Sequence, residues 1–183
     1  MMGYINQILK DNKDFVEKKK YENYTTTKYP TKKVAILSCM DTRLTELLPA
    51  ALNFKNGDVK IIKNAGAVIT HPFGSVMRSL MVAIYELDVN EILVIGHYDC
   101  GMQDLESSKI IEKMLSRNIK METIDMIRSC GVDIDLWLKG FDDVKTSVKS
   151  TVSMIKGHPL IPKDVDVYGL IINPETGELT LAD

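Results

Sequence analysis

VAILSC, residues 34–39, and EILVIGH, residues 91–97, decide the fold. Each is a continuous apolar run of strand length, where a half-exposed strand would alternate. Continuous runs mark strands covered on both faces, the condition of a parallel sheet flanked by helices. Both are therefore expected at the centre. VKIIKNAG at 59–66 and DVDVYGLIIN at 164–173 read as two more strands. Between the strands lie helical stretches: TELLPAALNF after the first, about Phe73 to Leu87 after the second, and two pieces from Leu105 to about Ser129 after the third. Strand alternating with helix predicts βαβ units. A further helix from Asp142 to Ile155 is stopped by Gly157 and Pro159, and PETG turns the last long strand into a short antiparallel return, ELTLA. The fold class is α/β: a central, mostly parallel sheet of about four strands with an antiparallel edge strand, flanked by helices. Met121 to Lys139 fits neither period cleanly.

A chain of 183 residues with 45% hydrophobic content suits one domain, 1–183. Residues 1–22 read as an N-terminal helical arm, because Ile5, Ile8, Leu9, Phe15 and Val16 recur at helical spacing among charges. Lys plus Arg number 23 against 25 Asp plus Glu, so the chain lacks the basic field that nucleic acid selects. No apolar run approaches the roughly 20 residues that span a bilayer, and the charged N-terminus lacks the apolar core of a signal peptide. The expectation is a cytoplasmic protein with neither nucleic acid nor membrane as partner. Three cysteines fit free thiols in a reducing compartment better than a disulfide framework.

Chemistry concentrates where strands end. Cys39 closes the first strand, and His97 with Cys100 closes the third. Ligands of an open parallel sheet sit at the carboxyl ends of strands, where strand order reverses. If these two strands are neighbours, the three side chains converge. Cys39 alone reads as a small core hydrophobe and His97 alone as a structural histidine. Together they form a donor set for a borderline-soft ion, and a Cys/Cys/His set leaves one tetrahedral position open, the mark of catalytic rather than structural zinc. Asp41 and Arg43 follow Cys39 at spacings of two, placing a carboxylate and a guanidinium beside that open position. Cys130, in Arg128-Ser129-Cys130-Gly131, has no such company and reads as a helix-end thiol.

Cys39 to Leu44, Lys63 to Gly66, Arg78 to Leu80 and Gly96 to Met102 resemble the motifs of the β-class carbonic anhydrases, in their compact prokaryotic branch. The resemblance implies a zinc enzyme (Zn2+), a homodimer or dimer multiple, that interconverts carbon dioxide and bicarbonate through zinc-bound hydroxide. It implies zinc ligation by Cys39, His97 and Cys100. It also implies an Asp41–Arg43 dyad, in which Asp41 accepts a hydrogen bond from the hydroxide and Arg43 fixes the carboxylate. One alternative keeps the metal and hydrolyses carbon disulfide or carbonyl sulfide; another is a non-catalytic zinc-binding regulatory protein. A dinucleotide binder is weaker, since no G-x-G-x-x-G follows a strand. Among the remaining motif residues, Gly66 reads as the glycine of a tight turn where the backbone approaches the site and Gly101 as a turn glycine, Arg78 as an ion-pairing residue, Asp99 as a cap of the following helix, and His71 and Tyr98 as candidate site-wall or proton-transfer groups.

Overall fold

The apolar runs become the middle of a sheet. A computed structural model describes residues 3–182, so Met1 and Met2 of the expected arm lie outside the described residues. The strands are β1 (Val34–Cys39), β2 (Val59–Asn64), β3 (Glu91–His97), β4 (Asp166–Ile172) and β5 (Leu179–Leu181). Their order is β2-β1-β3-β4-β5, with the first four in sequence mutually parallel and β5 antiparallel to β4. β1 and β3 are adjacent and central. Every residue of β1 is buried, as are Ile92 to His97 of β3.

Successive β1 residues serve opposite faces. Ala35 and Leu37 enter a core with Ile92, Val94 and the helices α3 (Ser75–Leu87) and α7 (Val144–Gly157), which contribute Met77, Leu80, Val148 and Ile155. Val34 and Ile36 enter a second core with Leu93, Ile95, Ile172 and the helix α2 (Leu44–Ala51) through Leu44 and Leu48. Burying each such side chain stabilises the fold by about 1.5–3 kcal/mol, so both ends of β1 are held firmly. At Gly96 a Cβ would come within 2.7 Å of Val148 and 2.8 Å of Val144. The missing side chain lets α7 lie directly on β3, just before His97.

The segment of mixed period resolves into two short helices, α5 (Met121–Ser129) and α6 (Ile134–Leu138), which follow α4 (Ser107–Ser116). Between α5 and α6 the chain turns at Gly131, φ +86°, and Asp133 caps α6 by accepting from the Leu136 amide at 2.9 Å. Each of the three helices buries only one residue fully, Ile111, Ile124 and Ile134, in a satellite cluster. One buried position per helix is too few to print a period.

The expected arm helix forms as α1 (Tyr4–Glu17), and none of its residues is buried. Ile5, Ile8, Leu9 and Val16 are all exposed, while half-buried Phe15 packs against Tyr24 with ring centroids 6.0 Å apart. The connector is tied to the body where Asn56 Nδ2 donates to the Tyr24 carbonyl at 2.7 Å. Among the described residues no helix is long and apolar enough to cross a membrane.

Candidate metal centre

β1 and β3 run in register, with Ser38 opposite Ile95, so Cys39 and His97 end neighbouring strands at nearly the same height. After β3 the chain turns through Asp99, in the left-handed region at φ +53°, and returns Cys100 towards Cys39. The two sulfurs are 3.8 Å apart and unbonded. One donor atom from each of Cys39, His97 and Cys100 lies within 4.8 Å of the others, and all three residues are buried. This group can hold a metal ion.

The histidine is prepared for it. His97 Nδ1 is 2.8 Å from the Tyr98 carbonyl oxygen, which can only accept, so the proton sits on Nδ1. In the neutral ring Nε2 then carries the lone pair, buried and without a hydrogen-bond partner. A buried polar atom left unpaired costs about 1–3 kcal/mol, a cost that a bound cation removes. His158 Nε2 is also buried and unpartnered, but among the described residues it belongs to no group of three such donors.

The two thiols are shifted in opposite directions. Cys39 is held well below the ordinary thiol range, first by the hydrogen bond from the Cys100 thiol, which together with His97 and the Gly66 and Asp41 amides outweighs burial. Cys100 is pushed up, chiefly because the Cys39 thiolate faces it and then by burial. Gly66 N–H donates to Cys39 Sγ at 3.4 Å from a left-handed conformation, φ +83°, and a Cβ there would meet Phe141 at 3.0 Å. His97 shifts upward: burial opposes its charge, but the Cys39 sulfur, the Tyr98 carbonyl and Asp41 prevail. Lys63, whose Nζ donates to the Cys39 carbonyl at 3.2 Å, is pulled down by burial against the attraction of Cys39 and Asp41.

Asp41 folds its own turn, accepting from the Arg43 amide at 2.9 Å through Oδ1. The Arg43 guanidinium grips both carboxylate oxygens, Nε to Oδ1 at 3.1 Å and Nη2 to Oδ2 at 2.9 Å. That grip holds the Asp41 carboxyl at about 2 and raises Arg43. Oδ2 stands 3.8 Å from His97 Nε2. A cavity of about 460 Å³ opens over Cys39, Cys100 and the dyad, with Met40, Thr42, Ala65 and Met102 in its wall. Its mostly apolar wall suits a small neutral molecule. Depressions of similar size against α7 gather no comparable donors.

All five expected residues, Cys39, Asp41, Arg43, His97 and Cys100, therefore meet at one place. The secondary expectations fare less evenly. Asp99 caps no helix, because α4 begins only at Ser107; its side chain turns to Arg43 instead. Arg78 is exposed on α3 and pairs with no carboxylate among the described residues. His71 accepts from the Phe73 amide at 3.0 Å, and neither it nor Tyr98 lines the cavity. Cys130 is exposed at the end of α5. The Lys63 amine is a contact of Cys39 that sequence reasoning missed, since its proximity depends on β2 lying beside β1, whereas the Gly66 amide comes to Cys39 from a turn glycine, as expected of it.

Residues 34–179 match the family model described as carbonic anhydrase. The fold superposes on the crystal structure of β-carbonic anhydrase isoform I from Trichomonas vaginalis with a TM-score of 0.88 and 35% identity, over 99% of this chain and 98% of that one. The chain belongs to the β-carbonic anhydrase family. Among its curated relatives in Bacillus subtilis (strain 168) is "Putative carbonic anhydrase YtiB", 57% identical over 98% of this chain and 96% of that protein. A more distant relative is a carbon disulfide hydrolase of Acidithiobacillus thiooxidans, 29% identical over 79% of this chain and 74% of that protein. For this member of the family the motif resemblance in the sequence, the order of its strands and the donor group at their ends agree.

Proposed function

We propose that this chain is a zinc-dependent carbonate dehydratase, interconverting carbon dioxide and bicarbonate, with Cys39, His97 and Cys100 as ligands of a catalytic zinc and Asp41 and Arg43 as its catalytic dyad. The observation that carries the reading is the unpartnered His97 Nε2 grouped with two buried sulfurs, with the Asp41 carboxylate 3.8 Å away. Two thiolates and an imidazole suit zinc, and a fourth Cys or His, which a closed structural site takes, is missing from the group among the described residues. When bound, zinc supplies Lewis acidity that brings the pKa of a coordinated water down to about 7. Asp41 remains ionised throughout the neutral range, so Oδ2 accepts and does not donate. It would thus accept from and orient the attacking water, while Arg43, charged and bidentate, keeps the carboxylate from rotating. Met40, Ala65 and Met102 give a linear neutral substrate an apolar approach and solvate a bicarbonate product poorly, which favours its release.

Stopped-flow carbon dioxide hydration, with zinc measured by elemental analysis on the same preparation, tests the reading. One zinc per chain with catalysed hydration is expected. A full zinc complement without hydration overturns it. Turnover of carbon disulfide in its place would favour the second reading, which the carbon disulfide hydrolase relative supports. A reducing, cytoplasmic setting is part of the proposal, since the site works through free thiols.

The chain is further proposed to be a single domain, with residues 1–22 as an arm, that works as a homodimer or dimer multiple. Support comes from α1, whose apolar stripe is exposed on its own chain. An amphipathic helix without a packed face gains little stability alone, and a second copy supplies the missing surface. Sedimentation of the full chain, and of a chain shortened to begin at Tyr24, is expected to give a dimer and a weakened dimer respectively. A full-length monomer at micromolar concentration that still hydrates carbon dioxide defeats the dimer. A shortened chain that dimerises as tightly defeats only the arm's part.

A further inference from the structure

We infer that Asp99 is a positioning residue, a clamp that ties Arg43, and through it the Asp41 carboxylate, to the strand end bearing His97 and Cys100. Arg43 makes four side-chain hydrogen bonds. Two go to Asp41, Nε to Oδ1 and Nη2 to Oδ2; the other two go to Asp99, Nη1 to Oδ2 at 2.9 Å and Nη2 to the backbone carbonyl at 2.9 Å. The first two are local, since Asp41 and Arg43 share one turn and move together. They fix the dyad to the end of β1 and to nothing else. The Asp99 contacts cross to the end of β3, where two of the three donor residues sit. A planar guanidinium with its donors in a rigid fork transmits that anchorage to Asp41.

The backbone at Asp99 is shaped to the same end. At φ +53° it lies in the left-handed region, which only glycine, asparagine and aspartate enter readily. No helix begins there to be capped, so the conformation serves the turn that presents both the carbonyl and the carboxylate to Arg43. The Asp99 side chain is 86% exposed. Exposed ion pairs contribute little to stability, and the contact is accordingly expected to act on position and not on folding.

Asp99→Gly and Asp99→Asn test the clamp, because both residues accept the left-handed backbone. Glycine removes the side-chain acceptor and asparagine keeps one neutral oxygen. The chain has four arginines, Arg43, Arg78, Arg117 and Arg128, so the Nε–H resonances of ¹⁵N-arginine-labelled protein are few enough to assign. In zinc-free wild type the Arg43 Nε–H is expected to exchange with water more slowly than that of Arg78, and in Asp99→Gly its resonance should shift and its exchange speed up. In zinc-loaded protein, zinc content should hold while kcat/KM for carbon dioxide falls about two- to fivefold, the range of an exposed charged contact with its backbone half left intact. Asp99→Asn should recover part of both effects. An Arg43 resonance unchanged in Asp99→Gly overturns the clamp whatever the activity does. A shifted resonance with kcat/KM unchanged overturns its part in positioning. The kinetic arm rests on the dehydratase reading; if the wild type hydrates no carbon dioxide that reading falls, and the zinc-free resonance still decides the clamp.

Discussion

Cys39→Ser is expected to strip the chain of zinc and of carbon dioxide hydration together. Of the two sulfurs, Cys39 is the one shifted below the ordinary thiol range, and the Gly66 amide donates to it. A serine hydroxyl stays protonated at neutral pH and is a far poorer ligand for a borderline-soft ion. Two of three protein donors remain, too few to fix a tetrahedral site. The fold should survive, because the substitution nearly preserves volume at a strand end whose neighbours Ile36 and Leu37 are fully buried. Elemental analysis after dialysis should find zinc far below one per chain, and stopped-flow rates should fall to the uncatalysed level, while circular dichroism matches zinc-free wild type. Cys130→Ser is the control: that thiol is exposed on α5 and should be dispensable for both metal and rate. Stoichiometric zinc in Cys39→Ser would sink the ligand assignment.

The strands that carry the donors are the ones whose sequence reads most directly. β1 and β3 are buried on both faces, so nearly every residue is apolar and the last residues of the runs, Cys39 and His97, are the last residues of the strands. β2 is half exposed at the sheet edge, and its expected span of 59–66 stops at Asn64, where Ala65 and Gly66 leave the sheet to bring an amide to Cys39. The burial of a strand thus decides how sharply its boundary is written. α5 is read only as the second helical piece ending near Ser129, and α6 is illegible, for the converse reason, since Ile124 and Ile134 are their only buried residues.

Within the site, the legible part is what neighbours in sequence can do. Cys39, Asp41 and Arg43 lie on one turn, and His97 and Cys100 on another, so residue type and spacing suffice to suggest a donor set and a dyad. Contacts that cross strands are not written that way. Lys63 reaches the Cys39 carbonyl because β2 pairs with β1, and Asp99 reaches Arg43 because β3 does. Read locally, an aspartate before a cysteine and a glycine looks like a helix cap; only the adjacency of two strand ends turns it towards a guanidinium.

Asp41→Asn is expected to keep zinc and lower hydration by about 10² to 10⁴, the range for a group that orients or exchanges a proton in the transition state. The physical reason lies in what Arg43 offers, which is donors only. An asparagine can satisfy Arg43 with its single oxygen, but its NH₂ must then occupy the place of the second carboxylate oxygen. If that oxygen is given to Nη2, the amide nitrogen faces the Nε–H and the Arg43 backbone amide, donor against donor; if it is given to Nε, the nitrogen sits where Oδ2 now stands, 3.8 Å from His97 Nε2. Either way the acceptor is lost or the turn is broken. The pH dependence separates this role from a simple titration. With its carboxyl held at about 2, Asp41 is ionised across the whole neutral range. Its loss should therefore lower the rate by the same factor from pH 6 to 9 without moving the limbs of the profile. The stability that Asp41 draws from Arg43 is present above the ordinary carboxyl value of 3.8 and is lost as pH falls through about 2. Melting temperatures of zinc-free wild type and Asp41→Asn should consequently differ at neutral pH and converge in acid. Wild-type kinetics in purified Asp41→Asn across pH 6 to 9 would make Asp41 a bystander, and a rate deficit confined to one limb of the profile would make it a titrating acid or base instead of a fixed acceptor.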